Sequence, residues 1–319
     1  MSTALISLIF IAAGILLLVK GADWFVKGSS ALAKKFKMSE LAIGLTVVAF
    51  GTSAPELIVN VFAAADNHPE IVLANVFGSN NINLFIILGL AGVITPLRVQ
   101  SSTAWKEIPF SILVILFVFL FANDWFIISD TATISRVEAS VLLVIFIFFL
   151  LYVYRQLALD THSGKSAGNT LTQLKTWSLI IIGLAGLLAG GRIIVSNAVD
   201  LARELQMSEK IIGITIISLG TSLPELATSV IAAFKKNTDI AVGNIIGSNI
   251  FNLLLVIPVS ALVRPINFSK DFNTDIYILA GGTLFLFLAM YTGKTKKLDR
   301  WEASILLIFY VGYIVSLVT

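Results

Sequence analysis

The chain of 319 residues (34.4 kDa) has room for two ordinary soluble domains, yet 57% of it is apolar, 13% is charged and mean hydropathy is +0.94. Soluble proteins run at roughly 45–50% apolar and 25% charged, so most of this chain must lie in lipid. The lack of cysteine excludes disulfide frameworks, thiolate metal sites and cysteine nucleophiles, and a net charge of +3 is small enough that placement outweighs sum.

Charge-poor apolar stretches predict ten membrane spans. Five lie in the first half, at 4–32, 40–65, 70–94, 107–123 and 137–154. Five more follow at 176–199, 209–234, 240–263, 276–293 and 301–318. The first stretch has no Lys or Arg before it and runs into Lys20, Asp23 and Lys27, where Asp23 is a helical neighbour for both lysines. It reads as a retained span and not as a signal peptide. Between the fifth and sixth spans, Thr161, Ser163, Gly164, Ser166, Gly168, Asn169 and Thr170 form a polar connection. The expected division is therefore 1–156, a linker at 157–173, and 174–319.

Alternate connections differ in charge. One set holds Lys34, Lys35, Lys37, Arg98, Lys106, Arg155, Lys165, Lys175, Lys235, Lys236, Lys294, Lys296, Lys297 and Arg300; the other holds only Arg136, Arg203, Lys210, Arg264 and Lys270. The excess places the first set and the linker in the cytoplasm and both termini outside.

The second span contains Gly51-Thr52-Ser53-Ala54-Pro55-Glu56, and the seventh repeats it as Gly220-Thr221-Ser222-Leu223-Pro224-Glu225. Upstream, Met38 to Thr46 recurs as Met207 to Thr215; downstream, Asn75 to Asn83 recurs as Asn244 to Asn252. The spacing is constant at 169 residues and also pairs Gly14 with Gly183 and Gly21 with Gly190. A gapless repeat of this length is a duplicated structural unit. Five spans is an odd number, so the second unit enters the membrane from the opposite side, as in many secondary transporters. The expected fold is an all-α membrane protein of ten transmembrane helices, in two inverted five-helix repeats with interrupted helices at the centre.

Glu56 is the only charged residue from Leu41 to Ala65, and Glu225 the only one from Ile211 to Phe234. An ionised acid at that depth costs about 2.5–3.5 kcal/mol on insertion scales, and no basic residue in its own or the next span offers to offset it. Pro55 and Pro224 remove a backbone donor and free carbonyl oxygens one turn back; Gly51 and Gly220 let the backbone open. Thr52, Ser53, Thr221 and Ser222 add hydroxyls. One span later, Gly78 and Gly247 mark a second break, beside Ser79, Asn80 and Asn83 and beside Ser248, Asn249 and Asn252. Every available ligand is a hard oxygen, which suits Ca²⁺, Na⁺, Mg²⁺ or Mn²⁺, does not suit Cu(I), and suits Zn²⁺ less well. Two carboxylates carry −2, matched by one Ca²⁺, two Na⁺ or two protons. The competing readings are polar packing between spans and a protonated acid pair holding the halves together. Glycines of the first spans serve equally as sliding faces or static contacts. His68 and His162 lie in connections and read as solvated side chains, and Asp66 to Glu70 as a plain turn.

With these residues in view, the sequence resembles the calcium/cation antiporter superfamily, specifically its sodium/calcium exchanger branch of prokaryotic type. The resemblance rests on two copies of Gly-Thr-Ser-x-Pro-Glu, each followed by Gly-Ser-Asn-x-x-Asn, within a ten-span plan covering the whole chain. It implies a central diamond of four interrupted helices in which Glu56 and Glu225 bridge the Ca²⁺ and Na⁺ sites, helped by backbone oxygens of Thr52 and Thr221. Hydroxyls of Ser53, Ser79, Ser222 and Ser248, with carbonyls at Ala49 and Ser218, would complete flanking Na⁺ sites, and Asn83 and Asn252 would sit in the middle. Some members carry Asp in place of Asn252, which tends to accompany potassium co-transport. Proton-coupled relatives typically show Gly-Asn around the acid, which favours sodium here. The resemblance thus implies an antiporter of a prokaryotic cell membrane, not an enzyme, with Ca²⁺ and Na⁺ as transported substrates and no cofactor. The lipid bilayer is its surroundings, with no nucleic acid and no obligatory protein partner. A proton/Ca²⁺ antiporter is the alternative, ahead of a cation channel or an ion-binding sensor.

Overall fold

The computed structural model describes residues 3–36, 38–100, 102–125, 132–160, 171–206, 218–292 and 296–318. In lipid, backbone N–H and C=O groups find partners only within their own segment, so the apolar stretches fold as helices. The first half carries α1 (Thr3–Phe36), α2 (Glu40–Ala65), α3 (Pro69–Ile94), α4 (Thr103–Ala122) and α5 (Arg136–Asp160). The second carries α6 (Gln173–Glu204), α7 (Ser218–Thr221), α8 (Leu223–Phe234), α9 (Thr238–Val263), α10 (Asn273–Ala289) and α11 (Arg300–Val318). Eight of the described helices are long and apolar enough to cross a membrane, and α8 is a shorter apolar helix. The chain is a multi-pass integral membrane protein. Met207 to Thr215, the second copy of the segment beginning at Met38, lies outside the described residues, as do residues 161–170 of the expected linker.

Four short strands show how the two repeats interlock: β1 (Leu97–Arg98), β2 (Thr133–Ile134), β3 (Ile266–Asn267) and β4 (Lys297–Leu298). β1 pairs antiparallel with β4, and β2 with β3. β1 and β4 come from connections of the lysine-rich set and β2 and β3 from the other set, so each sheet ties one connection of each repeat together at one face. Arg136, opening α5, donates to the carbonyls of Leu262 (3.0 Å) and Val263 (3.2 Å) at the end of α9, while Arg300, opening α11, donates to Ile94 O (3.2 Å) at the end of α3. Each guanidinium thus meets carbonyls that a helix C-terminus leaves unpaired, where the helix dipole favours a cation. Glu138 and Glu302 close the N-termini of the same two helices by accepting from Ser135 N (2.8 Å) and Asp299 N (2.7 Å).

The long helices α1 and α6 cross along a glycine seam. A Cβ on Gly21 would lie 2.6 Å from Leu187 N, and one on Gly190 2.7 Å from Leu18 N; a Cβ on Gly183 would lie 2.5 Å from Phe25 N. These backbones approach more closely than any other residue allows. Between them and the periphery, α9 and α3 are the most enclosed of the spanning helices, 83% and 72% buried over their most apolar window against 28% for α1. The site lies on this inner pair and on α2 and α8, which pack against α9.

The helices of the centre depart from regular α geometry in two ways. In α2 the chain passes through Pro55 without a break, and its irregularity is a wide π-helical turn at Gly44–Val48. In the second repeat the helix breaks at Ser222 (φ −89°, ψ 5°), and Pro224 falls in the opening turn of α8, where its missing N–H costs nothing. Helices α3 and α9 run straight through Gly78 and Gly247, the expected points of interruption, and loosen into π turns just beyond, at Ile82–Ile87 and Asn252–Val256. Such turns misalign the backbone ladder and recur at functional sites.

Candidate ion-binding site

The inner pair is held in register by four asparagines. Asn80 Nδ2 donates to Asn249 O and Asn249 Nδ2 donates to Asn80 O, both at 3.3 Å. Asn83 Nδ2 donates to Asn249 Oδ1 and Asn252 Nδ2 to Asn80 Oδ1, both at 3.1 Å. Every bond maps onto its mate under the 169-residue spacing, so the quartet straddles the two-fold axis. Asn80 and Asn249, which the sequence offers as further oxygen donors, are thereby the cross-brace between α3 and α9. The bracing also uses the amide nitrogens of Asn83 and Asn252 and leaves their Oδ1 atoms buried and without a partner.

Around this brace lie the two acids, 1% (Glu56) and 0% (Glu225) exposed. Glu225 sits in the first turn of α8, where unpaired backbone N–H groups favour an anion, and its Oε1 accepts from Ser53 Oγ of α2 at 3.1 Å. The Glu225 carboxylate therefore lies against α2 within one turn of Glu56. Glu56 is in the interior of α2, away from any helix end, and among the described residues neither of its carboxylate oxygens has a partner. Among the described residues no Lys, Arg or His forms an ion pair with either acid. The Oε2 of Glu225 and the hydroxyls of Ser79, Ser222 and Ser248 are likewise buried without partners. Together with Asn83 and Asn252 Oδ1 and both oxygens of Glu56, eight buried oxygens lack a hydrogen bond among the described residues, in a region that holds two carboxylates. An unpaired buried polar atom is costly, and such a concentration is a liability unless something else engages the oxygens.

Thr52 Oγ1 lies within hydrogen-bond distance of Val48 O (3.1 Å), Ala49 O (3.3 Å) and Asn244 Oδ1 (3.1 Å), and its single proton serves one acceptor at a time. Ser218 and Thr221 bound α7, the short turn of helix ahead of the break. Among the described residues no group of three or more His, Asp or Glu comes together, so a cation here would be held by two carboxylates and neutral oxygens.

A supporting layer was not singled out from the sequence. Asn60 Nδ2 donates to Glu56 O at 2.7 Å and to Asn75 Oδ1 at 3.2 Å. Asn244 Nδ2 donates to Ser229 Oγ at 2.9 Å and to Glu225 O at 3.4 Å. The two networks are repeat mates, Asn60 with Ser229 and Asn75 with Asn244, and each orients the backbone at one acid. The signal was present, since Asn75 and Asn244 open the second repeated motif, four residues before Ser79 and Ser248. Asp23, by contrast, is not paired along its own helix: its carboxylate meets Lys235 Nζ at 2.6 Å.

The family described as sodium/calcium exchanger protein matches residues 6–155 and 175–319. The putative antiporter CaxA of Alkalimonas amylolytica is 38% identical, covering 97% of this chain and 98% of its own length. The sodium/calcium exchanger MaX1 of Methanosarcina acetivorans is 30% identical over 98% of each chain. A solved structure of the sodium-calcium exchanger NCX_Mj, soaked with 2.5 mM Na⁺ and 0.1 mM Ca²⁺, superposes with a TM-score of 0.84 at 32% identity, covering 98% of each chain.

Proposed function

This chain belongs to the sodium/calcium exchanger protein family, a family of cation antiporters, and we propose that within it the chain exchanges Na⁺ for Ca²⁺ by alternating access. The observation that carries this reading is the set of eight buried, unpartnered oxygens contributed by Glu56, Glu225, Ser79, Ser222, Ser248, Asn83 and Asn252. Oxygen-only shells of this kind suit Ca²⁺ and Na⁺. Backbone oxygens near Ala49, Thr52, Ser218 and Thr221 and the hydroxyl of Ser53 complete the proposed ligand set. One Ca²⁺ or two Na⁺ balance the formal charge of −2, whereas an empty site leaves two buried anions, which resist passage through a closed state. Exchange in place of leak follows from that charge cost. Asn at positions 83 and 252 keeps the site at −2, which favours coupling to Na⁺ alone.

The same proposal puts the lysine-rich connections, including the linker at 157–173, in the cytoplasm. The repeats at 1–156 and 174–319 then span the cell membrane five times each, with both termini outside. The second reading, proton-coupled exchange, uses the same two acids as proton carriers. Radiolabelled Ca²⁺ uptake into liposomes holding the purified protein, under separate Na⁺, K⁺ and H⁺ gradients, distinguishes them. Uptake driven by outward Na⁺ alone is the expected result. Uptake driven by a pH gradient without Na⁺ would replace sodium by protons, and flux with no counter-ion gradient would make the protein a channel.

A further inference from the structure

Much of the molecule obeys its two-fold axis; the contacts of α1 with the end of α8 do not. Lys235, which caps the end of α8, reaches α1: its Nζ meets Asp23 Oδ1 at 2.6 Å and Asp23 O at 3.1 Å. About two turns further along α1, Ser30 Oγ accepts from Asn237 Nδ2 at 2.9 Å. Subtracting the repeat spacing from Lys235 gives Asp66, and adding it to Asp23 gives Arg192. The pair recurs in the other repeat with its charges exchanged between partners.

Local geometry confirms the correspondence. Asp66 and Lys235 each cap a helix at φ −79°, with ψ 5° and 0°, and each is followed by a left-handed residue, Asn67 at φ 64° and Lys236 at φ 60°. What differs is the partner. Asp66 and Arg192 are both exposed, and among the described residues neither makes an ion pair or a side-chain hydrogen bond. Helix α1 packs along α8, while its mirror, α6 against α2, touches only marginally. Arg192 is also the only charged residue of α6 between Lys175 and Asp200. An unpaired guanidinium inside a spanning helix is unfavourable and calls for a partner.

We infer that Asp66 and Arg192 close on each other in the opposite-facing state, as the charge-inverted counterpart of the Asp23–Lys235 pair, which opens at the same time. In an inverted repeat the two access states interchange the conformations of the two halves, so a contact made by one half in one state belongs to the other half in the other. The inference rests on the alternating-access reading above and adds to it two positioning residues, one at the end of α2 and one within α6.

The test uses the full-length protein in liposomes. With no native cysteine, Asp66→Cys combined with Arg192→Cys offers one reactive pair to a short bismaleimide, and linked peptides are counted by mass spectrometry without reference to transport. Adding Lys235→Ala, which releases the pair now closed, should raise linking about two- to fivefold, the bias an exposed ion pair gives a two-state equilibrium. Linking that is absent in both backgrounds, or indifferent to Lys235→Ala, overturns the inference. As a second arm, Asp66→Arg should slow Na⁺-driven Ca²⁺ uptake about two- to fivefold, and adding Arg192→Asp should restore it; a double variant no faster than the single one overturns it too. If linking responds to Lys235→Ala but the unaltered protein shows no Na⁺-driven uptake, the exchanger reading fails while the gate pair stands.

Discussion

The seam between α1 and α6 and the contact between α1 and α8 involve the same long helix, yet they treat the two-fold axis differently. Along the seam four glycines approach in mated pairs: Gly21 on Leu187 matches Gly190 on Leu18, and Gly14 on Ile194 matches Gly183 on Phe25. The asparagine quartet and the paired strands follow the same rule. At α8 the rule lapses. Asp23–Lys235, Ser30–Asn237 and Gln100–Asp239 are made, while Asp66, His68 and Glu70, which replace Lys235, Asn237 and Asp239 in the first repeat, are exposed. A contact that is its own mirror image survives an exchange of conformations between halves; one that is not must break. On the proposed alternating-access mechanism the symmetric parts are the frame, and the asymmetric parts mark what moves.

The largest effects test whether the asymmetry reaches the ions. Glu225 has a hydroxyl partner and a helix N-terminus, and Glu56 has neither, but both count equally toward the charge. Glu56→Gln and Glu225→Gln should each lower Na⁺-driven Ca²⁺ uptake by about 100-fold or more, since loss of one of two buried charges facing a divalent ion costs about 3–5 kcal/mol. A normal rate in either variant would show that only one repeat binds the cation. Next comes the frame. Gly21→Ala and Gly190→Ala should destabilise the detergent-purified protein equally, by about 1–3 kcal/mol of overpacking, read as a lowered thermal midpoint. Gly281→Ala, whose added carbon meets nothing within 4 Å, should not lower it and should gain about 0.5–1 kcal/mol from helix propensity; unequal losses at Gly21 and Gly190 would contradict the symmetry of the seam.

Smaller effects sharpen the contrast. Gln100 Nε2 donates to Asp239 Oδ2 at 2.6 Å, so Gln100→Ala should cost about 1 kcal/mol, whereas Glu70→Ala, at the repeat mate of Asp239, should stay within about 0.5 kcal/mol. Equal losses would mean that Glu70 is engaged too. The smallest belong to the exposed arginines at the ends of α9 and α3. Arg136→Ala and Arg300→Ala should each cost about 0.3–1 kcal/mol, decreasing with added salt, and a salt-independent loss would assign them packing in place of charge.

Much of the proposed site is legible in the sequence for a single reason: lipid penalises charge so strongly that an isolated acid in an apolar span stands out. Glu56 and Glu225 announce themselves in this way, and the constant spacing carries Ser79, Ser248, Asn83 and Asn252 with them. Pro55 shows the limit. It and Pro224 occupy matching positions, yet α2 continues through one and the chain breaks before the other. A proline removes one donor wherever it stands; whether the helix breaks depends on neighbours that local sequence does not specify. The division of labour among the asparagines was equally hidden, since an amide that braces and an amide that offers its oxygen are written with the same letter.

From residue order alone it follows that this chain lives in a bilayer, that it is one unit used twice in opposite senses, and that two acids must be reckoned with in its spans. Hydropathy, span parity and the cost of buried charge are properties of residues and their spacing. Packing in three dimensions sets which carboxylate is held by a hydroxyl and which amides serve as brace. It alone decided that Asp23 pairs with Lys235 of the other repeat and not along its own helix. Those outcomes depend on distances between residues more than a hundred positions apart, and the packing of helices sets them.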